Sequence, residues 1–230
     1  MDYVYVCRNG DNEELRYSIR TTVANLPPGR IWVVGGKPDW YIGDYIYVEQ
    51  TGRGYLNVRN QLKAVCLNDE ISNDFVLMND DFFTIKKVEK IEPVHMGTLR
   101  ETMDVYADSE QKNLGYQRMI NITRRVLEKM KINNPLNYEL HVPMQMDKKN
   151  LLEVIDTQGL WRSMYGNFVG VGGNRESDVK VYSLDKIETK DKDDDLEDLL
   201  YISCHDDNFD LIYNEFLKGK YDEPSKYENP

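Results

Sequence analysis

Phe75-Val76-Leu77-Met78-Asn79-Asp80-Asp81 is the stretch on which the fold turns. Four apolar residues in a row, bounded by polar ones, read as a short strand buried on both faces, the kind found in parallel sheets. Upstream, Val58 to Leu67 reads as a helix, Tyr45 to Val48 as a strand, and Ile31-Trp32-Val33-Val34 as a buried strand ended by Gly35-Gly36-Lys37-Pro38. Glu13 to Ala24 reads as a helix with Leu15, Ile19 and Val23 on one face, stopped by Leu26-Pro27-Pro28-Gly29. Residues 3–7 form the first strand. The order strand, helix, strand, strand, helix, strand predicts an α/β fold with a mixed, mostly parallel sheet. Ligands bind such sheets beyond the carboxyl ends of the strands. Three polar clusters fall at that edge: Arg8-Asn9-Gly10, Gly35-Gly36-Lys37 and Asn79-Asp80-Asp81.

Downstream of Thr84 the pattern changes. Leu114 to Ile132 reads as an amphipathic helix, Tyr138 to Met144 as a strand, and Lys148 to Thr157 as a helix. Gly166 to Gly173 reads as a glycine-rich loop, Val179 to Tyr182 as a strand, residues 186–198 as a charged linker, and Phe209 to Leu217 as a helix. The last dozen residues are expected to be weakly ordered. The expected organisation is a catalytic domain over 1–185, with a nucleotide-binding half (1–85) and an acceptor half (86–185). An acidic linker and tail follow over 186–230.

The 230 residues are 40% hydrophobic and 30% charged. No apolar run approaches the ~18 residues of a membrane-spanning helix. Met1-Asp2-Tyr3-Val4 lacks the basic start of a signal peptide. The three cysteines, Cys7, Cys66 and Cys204, are odd in number and scattered, which argues against a disulfide framework or a cysteine zinc site. A cytoplasmic location is the expectation. Net charge is −11, of which −8 lies between Lys186 and Pro230. That balance argues against a generic nucleic-acid coat protein. A local exception is the segment 112–131, with six Lys/Arg against Glu128 alone. It reads as a solvated face or as a track for phosphates.

Adjacent carboxylates at a strand end repel each other, and a hard cation such as Mg²⁺ or Mn²⁺ relieves that while sharing phosphate oxygens. A solvated Asn-Asp-Asp turn is the plainer reading. A second feature weighs with the first: Gly54-Tyr55-Leu56-Asn57-Val58-Arg59-Asn60 opens a helix, and Asp80 follows Asn60 by 20 positions.

With Arg59-Asn60 and Asn79-Asp80-Asp81 at this spacing, the chain resembles nucleotide-sugar glycosyltransferases of the GT-A fold. The run Asn12 to Arg20, Asn79-Asp80-Asp81-Phe82-Phe83 and His141-Val142-Pro143 look like segments of the Stealth-type sugar-phosphate transferases. The chain also resembles small phage-encoded glycosyltransferases that decorate hydroxymethylated bases. The likeness covers roughly residues 2–150. It implies a GT-A-like fold and transfer of a sugar from a nucleotide sugar, UDP being the commonest nucleotide carrier. Arg59, Asn60, Arg8, Asn9, Lys37 and Asp80 would then hold the nucleotide. Asp81, which matches the metal-bound end of an Asp-x-Asp motif, and His141 would hold Mn²⁺ or Mg²⁺. Asn79 stands where that motif has its first Asp. No counterpart of the fourth Stealth region is found, which favours plain glycosyl transfer. A phage origin would place the protein in the host cytoplasm.

Trp161-Arg162-Ser163-Met164-Tyr165-Gly166-Asn167 combines rings, a cation and amide donors, a set that suits a sugar or a base. Trp161, Tyr165, Asn167 and Arg175 are the acceptor or sugar candidates, and Arg162 orients the reactants. Proton removal from the acceptor hydroxyl needs a carboxylate; Asp178 is the first candidate and Asp44 the second. The expected acceptor is a hydroxymethylpyrimidine in DNA, with a glycan as the alternative. The competing functions are sugar-phosphate transfer and a non-catalytic nucleotide- or sugar-binding module.

Overall fold

The computed structural model describes residues 1–52, 54–108, 114–183, 186–187 and 199–229. Its main sheet takes β1 (Asp2–Cys7), β2 (Arg30–Gly35), β3 (Asp44–Tyr47), β4 (Asp74–Met78) and β7 (Met144–Asp147), in the order β3-β2-β1-β4-β7. β1 runs parallel to both β2 and β4, β2 runs parallel to β3, and only β7 is antiparallel. The fold is therefore mixed α/β with a mostly parallel central sheet flanked by helices, as the alternating sequence pattern predicts.

The connections explain the order. The helix α1 (Glu13–Asn25) carries the chain from β1 to β2, and α2 (Gly54–Leu67) carries it from β3 back across β1 to β4. Asn12 caps α1 by accepting from the Leu15 amide, and Glu13 and Glu14 favour its positive end. Tyr3, Tyr5, Ile31, Val33, Val76 and Met78 pack with Leu15 and Ile19 of α1 in one buried cluster. α2 packs on β1 and β2.

A second sheet has the order β10-β9-β11-β5, built from β5 (Phe82–Thr84), β9 (Lys180–Ser183), β10 (Lys186–Ile187) and β11 (Tyr201–Cys204). Period-two alternation sends Phe83, Val181, Ile202 and Cys204 into one core with Ile212 of α7 (Phe209–Ile212) and with Leu217. A π turn, Tyr213–Leu217, continues α7, so the helix expected over 209–217 changes its winding halfway.

The end of the chain is packed, contrary to the expected loose tail. Tyr227 and Glu228 are buried. The Tyr227 ring stacks on Tyr41, and the Asn229 amide donates to the Trp40 carbonyl at 2.8 Å. Most of the charged segment 186–198, expected as a linker, lies outside the described residues.

The chain divides into two compact units. The first holds both of these sheets and comprises Met1–Ile91, His141–Lys148 and the residues from Val179 onward. The second comprises Glu92–Leu140 and Lys149–Asp178. It contains α3 (Leu99–Asp108), α4 (Leu114–Lys129), most of α5 (Lys148–Val154), α6 (Trp161–Val169) and the parallel pair β6 (Val94–His95) and β8 (Asn174–Arg175).

Two sequence expectations change here. Residues 138–143 are irregular and the strand begins at Met144, where Met144 and Met146 are buried on the face opposite Gln145. Gly166 lies inside α6, where a side chain would strike the Tyr138 ring at 2.6 Å. It serves close packing, not a loop.

Candidate functional site

β1 is the first strand laid down, with β2 on one side and β4 on the other. The chain thus reverses its direction of winding between β1 and β4, and the crevice beyond their carboxyl ends is the place where open α/β sheets take ligands. Arg8-Asn9-Gly10 leave β1 there and Asn79-Asp80-Asp81 leave β4.

Close backbone approach shapes this edge. The Cys7 carbonyl accepts from the Gly36 amide (3.1 Å), Gln50 Nε2 (2.9 Å) and Gln61 Nε2 (2.7 Å). Gly35 has φ +112°, and a Cβ there would lie 2.0 Å from Gln61 Nε2 and 2.4 Å from the Cys7 oxygen. Asn57 accepts from the Thr51 amide at 2.8 Å and so ties α2 to the loop before it. Asn9 donates its amide to Gln50 Oε1 at 3.3 Å. Lys37 is exposed, with its ammonium 5.7 Å from the centre of the Tyr45 ring. Arg59 and Asn60 are half-buried on α2. Among the described residues the Arg59 Nε, itself covered, meets no acceptor.

The two carboxylates face different partners. Asp80 accepts from Asn12 Nδ2 at 2.7 Å. Burial and the neighbouring Asp81 charge raise its pKa, while the Asn12 bond and the Arg8 charge oppose that rise. Arg8 Nη2 lies 3.7 Å from Glu14 Oε2. Asp81 Oδ2 accepts from Ser203 Oγ at 2.7 Å and from Lys180 Nζ at 3.4 Å. Lys180 Nζ is also 3.4 Å from His141 Nε2, and the His141 ring sits edge-on to Phe82.

Strand register produces this meeting. Ser203 pairs with Phe82 on β5 and with Lys180 on β9. The three therefore form one cross-strand row, with Asp81 immediately before it. Asn12, Lys180 and Ser203 were not among the sequence candidates. Asn12 carried a signal, an Asn before Glu13-Glu14 at a helix start. Lys180 and Ser203 carried only a weak one, each being a polar residue between apolar neighbours.

Asp81 and His141, expected as metal ligands, both reach the Lys180 ammonium. Among the described residues no three His, Cys, Asp or Glu side chains converge as a metal-binding group. The donor set does not fit a resident divalent ion; a positive charge of the chain's own lies beside Asp81.

Asp44 lies elsewhere. It starts β3, so the parallel register puts it near the amino edge of the sheet, where it pairs with Arg30 Nε at 3.1 Å. That separates it from the carboxylates that end β4.

The remaining candidates belong to the second unit. Arg162 is buried and donates from Nε to the Tyr138 carbonyl at 3.2 Å. Asn167 uses its amide on backbone: it accepts from Leu136 N and donates to the Leu136 and Ser163 carbonyls, each at 2.7 Å. Tyr165 is buried and Trp161 half-buried. Arg175 Nη1 donates to Glu101 Oε1 at 2.8 Å. Asp178 and Glu139 both act on Tyr116, whose hydroxyl burial pushes far up. Glu139 was not a sequence candidate; its Oε1 accepts from the Ser163 amide and hydroxyl, both at 2.8 Å.

All three cysteines are buried, and none of them forms a disulfide. Among the described residues no helix is long and apolar enough to cross a membrane.

No protein-family model and no curated protein sequence matches the chain. Among solved structures, the chain is similar to the apo form of the glycosyltransferase GlyE of Streptococcus pneumoniae TIGR4, at 9% identity and a TM-score of 0.28. That match covers 69% of this chain and 44% of the other, so the chain spans less than half the length of that protein.

Proposed function

We propose that this protein transfers a sugar from a nucleotide-sugar donor to an acceptor hydroxyl, with the donor diphosphate bound in the crevice beyond β1 and β4. The observation that carries the reading is the placement of Asn79-Asp80-Asp81 and Arg8-Asn9 on the two strands that flank the reversal of the sheet. Arg59 supports it, because a covered guanidinium nitrogen, its Nε, without an acceptor among the described residues suits an anionic ligand.

In the reaction, the acceptor oxygen bonds to the anomeric carbon while that carbon's bond to the diphosphate oxygen breaks. The electron pair leaves with the diphosphate, and the acceptor proton passes to a carboxylate. Fixed positive charge and hydrogen-bond donors lower the cost of the departing charge. The acceptor assigned is DNA carrying a hydroxymethylated pyrimidine. This rests on the resemblance to phage-encoded glycosyltransferases and on the exposed Arg118, Arg125 and Lys129 of α4, a cationic face in an acidic chain that suits a phosphate backbone.

A thermal-shift panel of nucleoside diphosphates and nucleotide sugars tests the donor site, since a ligand that binds only the folded state raises Tm. At least one should raise it, and a panel with no response sinks the assignment. Transfer assays then offer hydroxymethylated DNA and a glycan to the same donor. Release of nucleoside diphosphate fits the proposal; release of nucleoside monophosphate points to sugar-phosphate transfer instead.

A further inference from the structure

We propose that the Lys180 ammonium is the resident cation of this site, so that donor diphosphate binds without a divalent metal. The proposal deepens the donor-site reading above and rests on it. Lys180 bridges the two side chains that the sequence nominates as metal ligands, 3.4 Å from Asp81 Oδ2 and 3.4 Å from His141 Nε2. Its side chain is 11% exposed and that of Asp81 14% exposed. The pair is therefore shielded from bulk water and weakly screened by salt.

This position is built into the fold. The β9–β11–β5 register sets Lys180, Ser203 and Phe82 in one row. The Ser203 hydroxyl holds the same Asp81 oxygen that Lys180 approaches. Val181, Ile202 and Phe83 alternate with that row and pack into the core on the other face. Sliding Lys180 away would require moving those residues too. Asp80 is the other carboxylate at this edge, and it is engaged by Asn12. An ammonium carries three donors; Asp81 and His141 engage two, and a phosphate oxygen can take the third. Stabilising a leaving diphosphate needs hydrogen-bond donors and positive charge at the site; Lys180 brings a directed N–H donor and one unit of charge, which it shares with Asp81.

Isothermal titration with nucleoside diphosphates, in EDTA and again in MnCl₂, tests this on the full chain. In EDTA the wild-type protein should bind at least one, and Mn²⁺ should change its Kd by less than about threefold, under ~0.7 kcal/mol. Lys180→Met should weaken binding about 10- to 100-fold, as expected for one lost charge-assisted hydrogen bond. Lys180→Arg should keep most of the affinity. The double variant Lys180→Met/Asp81→Asn removes both charges and guards against misfolding; it should fold and still bind more weakly than the wild type. Binding seen only with Mn²⁺ overturns this proposal and leaves the donor site standing. So does unchanged affinity in Lys180→Met. Binding of no nucleotide under either condition removes the donor site itself, and this proposal with it.

Discussion

Arg20 and Glu228 form a two-bonded ion pair across 208 positions of sequence, Nε to Oε1 at 2.9 Å and Nη2 to Oε2 at 2.6 Å. Both side chains are buried. Arg20 Nη1 also donates to the Tyr221 and Asp222 carbonyls, and the Ser225 amide donates to Glu228. The guanidinium is thereby spread over the whole returning tail. Breaking a buried pair from one side leaves the other charge uncompensated. Glu228→Ala should therefore cost about 3 kcal/mol, read as a lower urea midpoint at unchanged slope. A loss below about 0.5 kcal/mol would mean that the tail is dispensable to the fold.

Acid should unfold the protein through identifiable carboxylates. The Thr98 amide, the Thr98 hydroxyl and Arg175 hold the Glu101 carboxyl down to about 2, from an unfolded value of 4.5. At Glu228 burial pushes upward, but Arg20 and Ser225 outweigh it, and that carboxyl is lowered too. A carboxyl lowered on folding adds stability that is fully present above its unfolded pKa. For Glu101 that contribution fades as pH falls from about 4.5 to about 2. Tm should drop across this window, and the drop should be shallower in Glu101→Gln, which loses one of the titrating groups. Parallel Tm–pH profiles would refute the assignment of Glu101.

Gly35→Ala should be severe for a conservative change. The backbone there has φ +112°, and the new methyl would meet Gln61 Nε2 and the Cys7 oxygen far inside contact distance. Strain and the displaced Gln61–Cys7 bond together should cost roughly 2–4 kcal/mol. Gly170→Ala is the control, at φ +75° with nothing within 4 Å of the added methyl; its cost should stay near 1 kcal/mol. Equal losses in the two would show that crowding at Gly35 is unimportant.

Arg59→Ala should separate binding from stability. Its Nε has no acceptor among the described residues, so removal should change unfolding free energy by less than about 0.5 kcal/mol. Nucleoside diphosphate affinity should fall about tenfold or more. A stability loss with intact affinity would make Arg59 a packing residue of α2.

Much of the main sheet could be read in the sequence, because strands buried on both faces leave continuous apolar runs. Ile31 to Val34 and Phe75 to Met78 are such runs, and both are strands. The strands of the second sheet were harder. Phe82–Thr84 and Tyr201–Cys204 are three and four residues long, and each is defined by a distant partner more than by its own pattern. The same reason hid part of the site. Asp80 and Asp81 announce themselves as adjacent charges after an apolar strand, whereas Lys180 and Ser203 become neighbours of Asp81 only through strand register. Tyr227 and Glu228 misled for a related reason: a position among the last dozen residues suggested weak order, and distant partners, Arg20 and Tyr41, reverse that.

The division into two units carries a consequence for biosynthesis. The second unit uses nothing beyond Asp178, whereas the first needs β7, then β9 and β11, and finally the ring of Tyr227 and the carboxylate of Glu228. On the ribosome, residues up to Ile91 must wait for partners more than a hundred positions downstream, a separation that slows folding. Until Ser203 has emerged, the Asp81 oxygen lacks its hydroxyl partner. A stalled or prematurely terminated nascent chain ending before β11 would thus carry a complete second unit while β5, in the first, is still an edge strand open to the wrong partners.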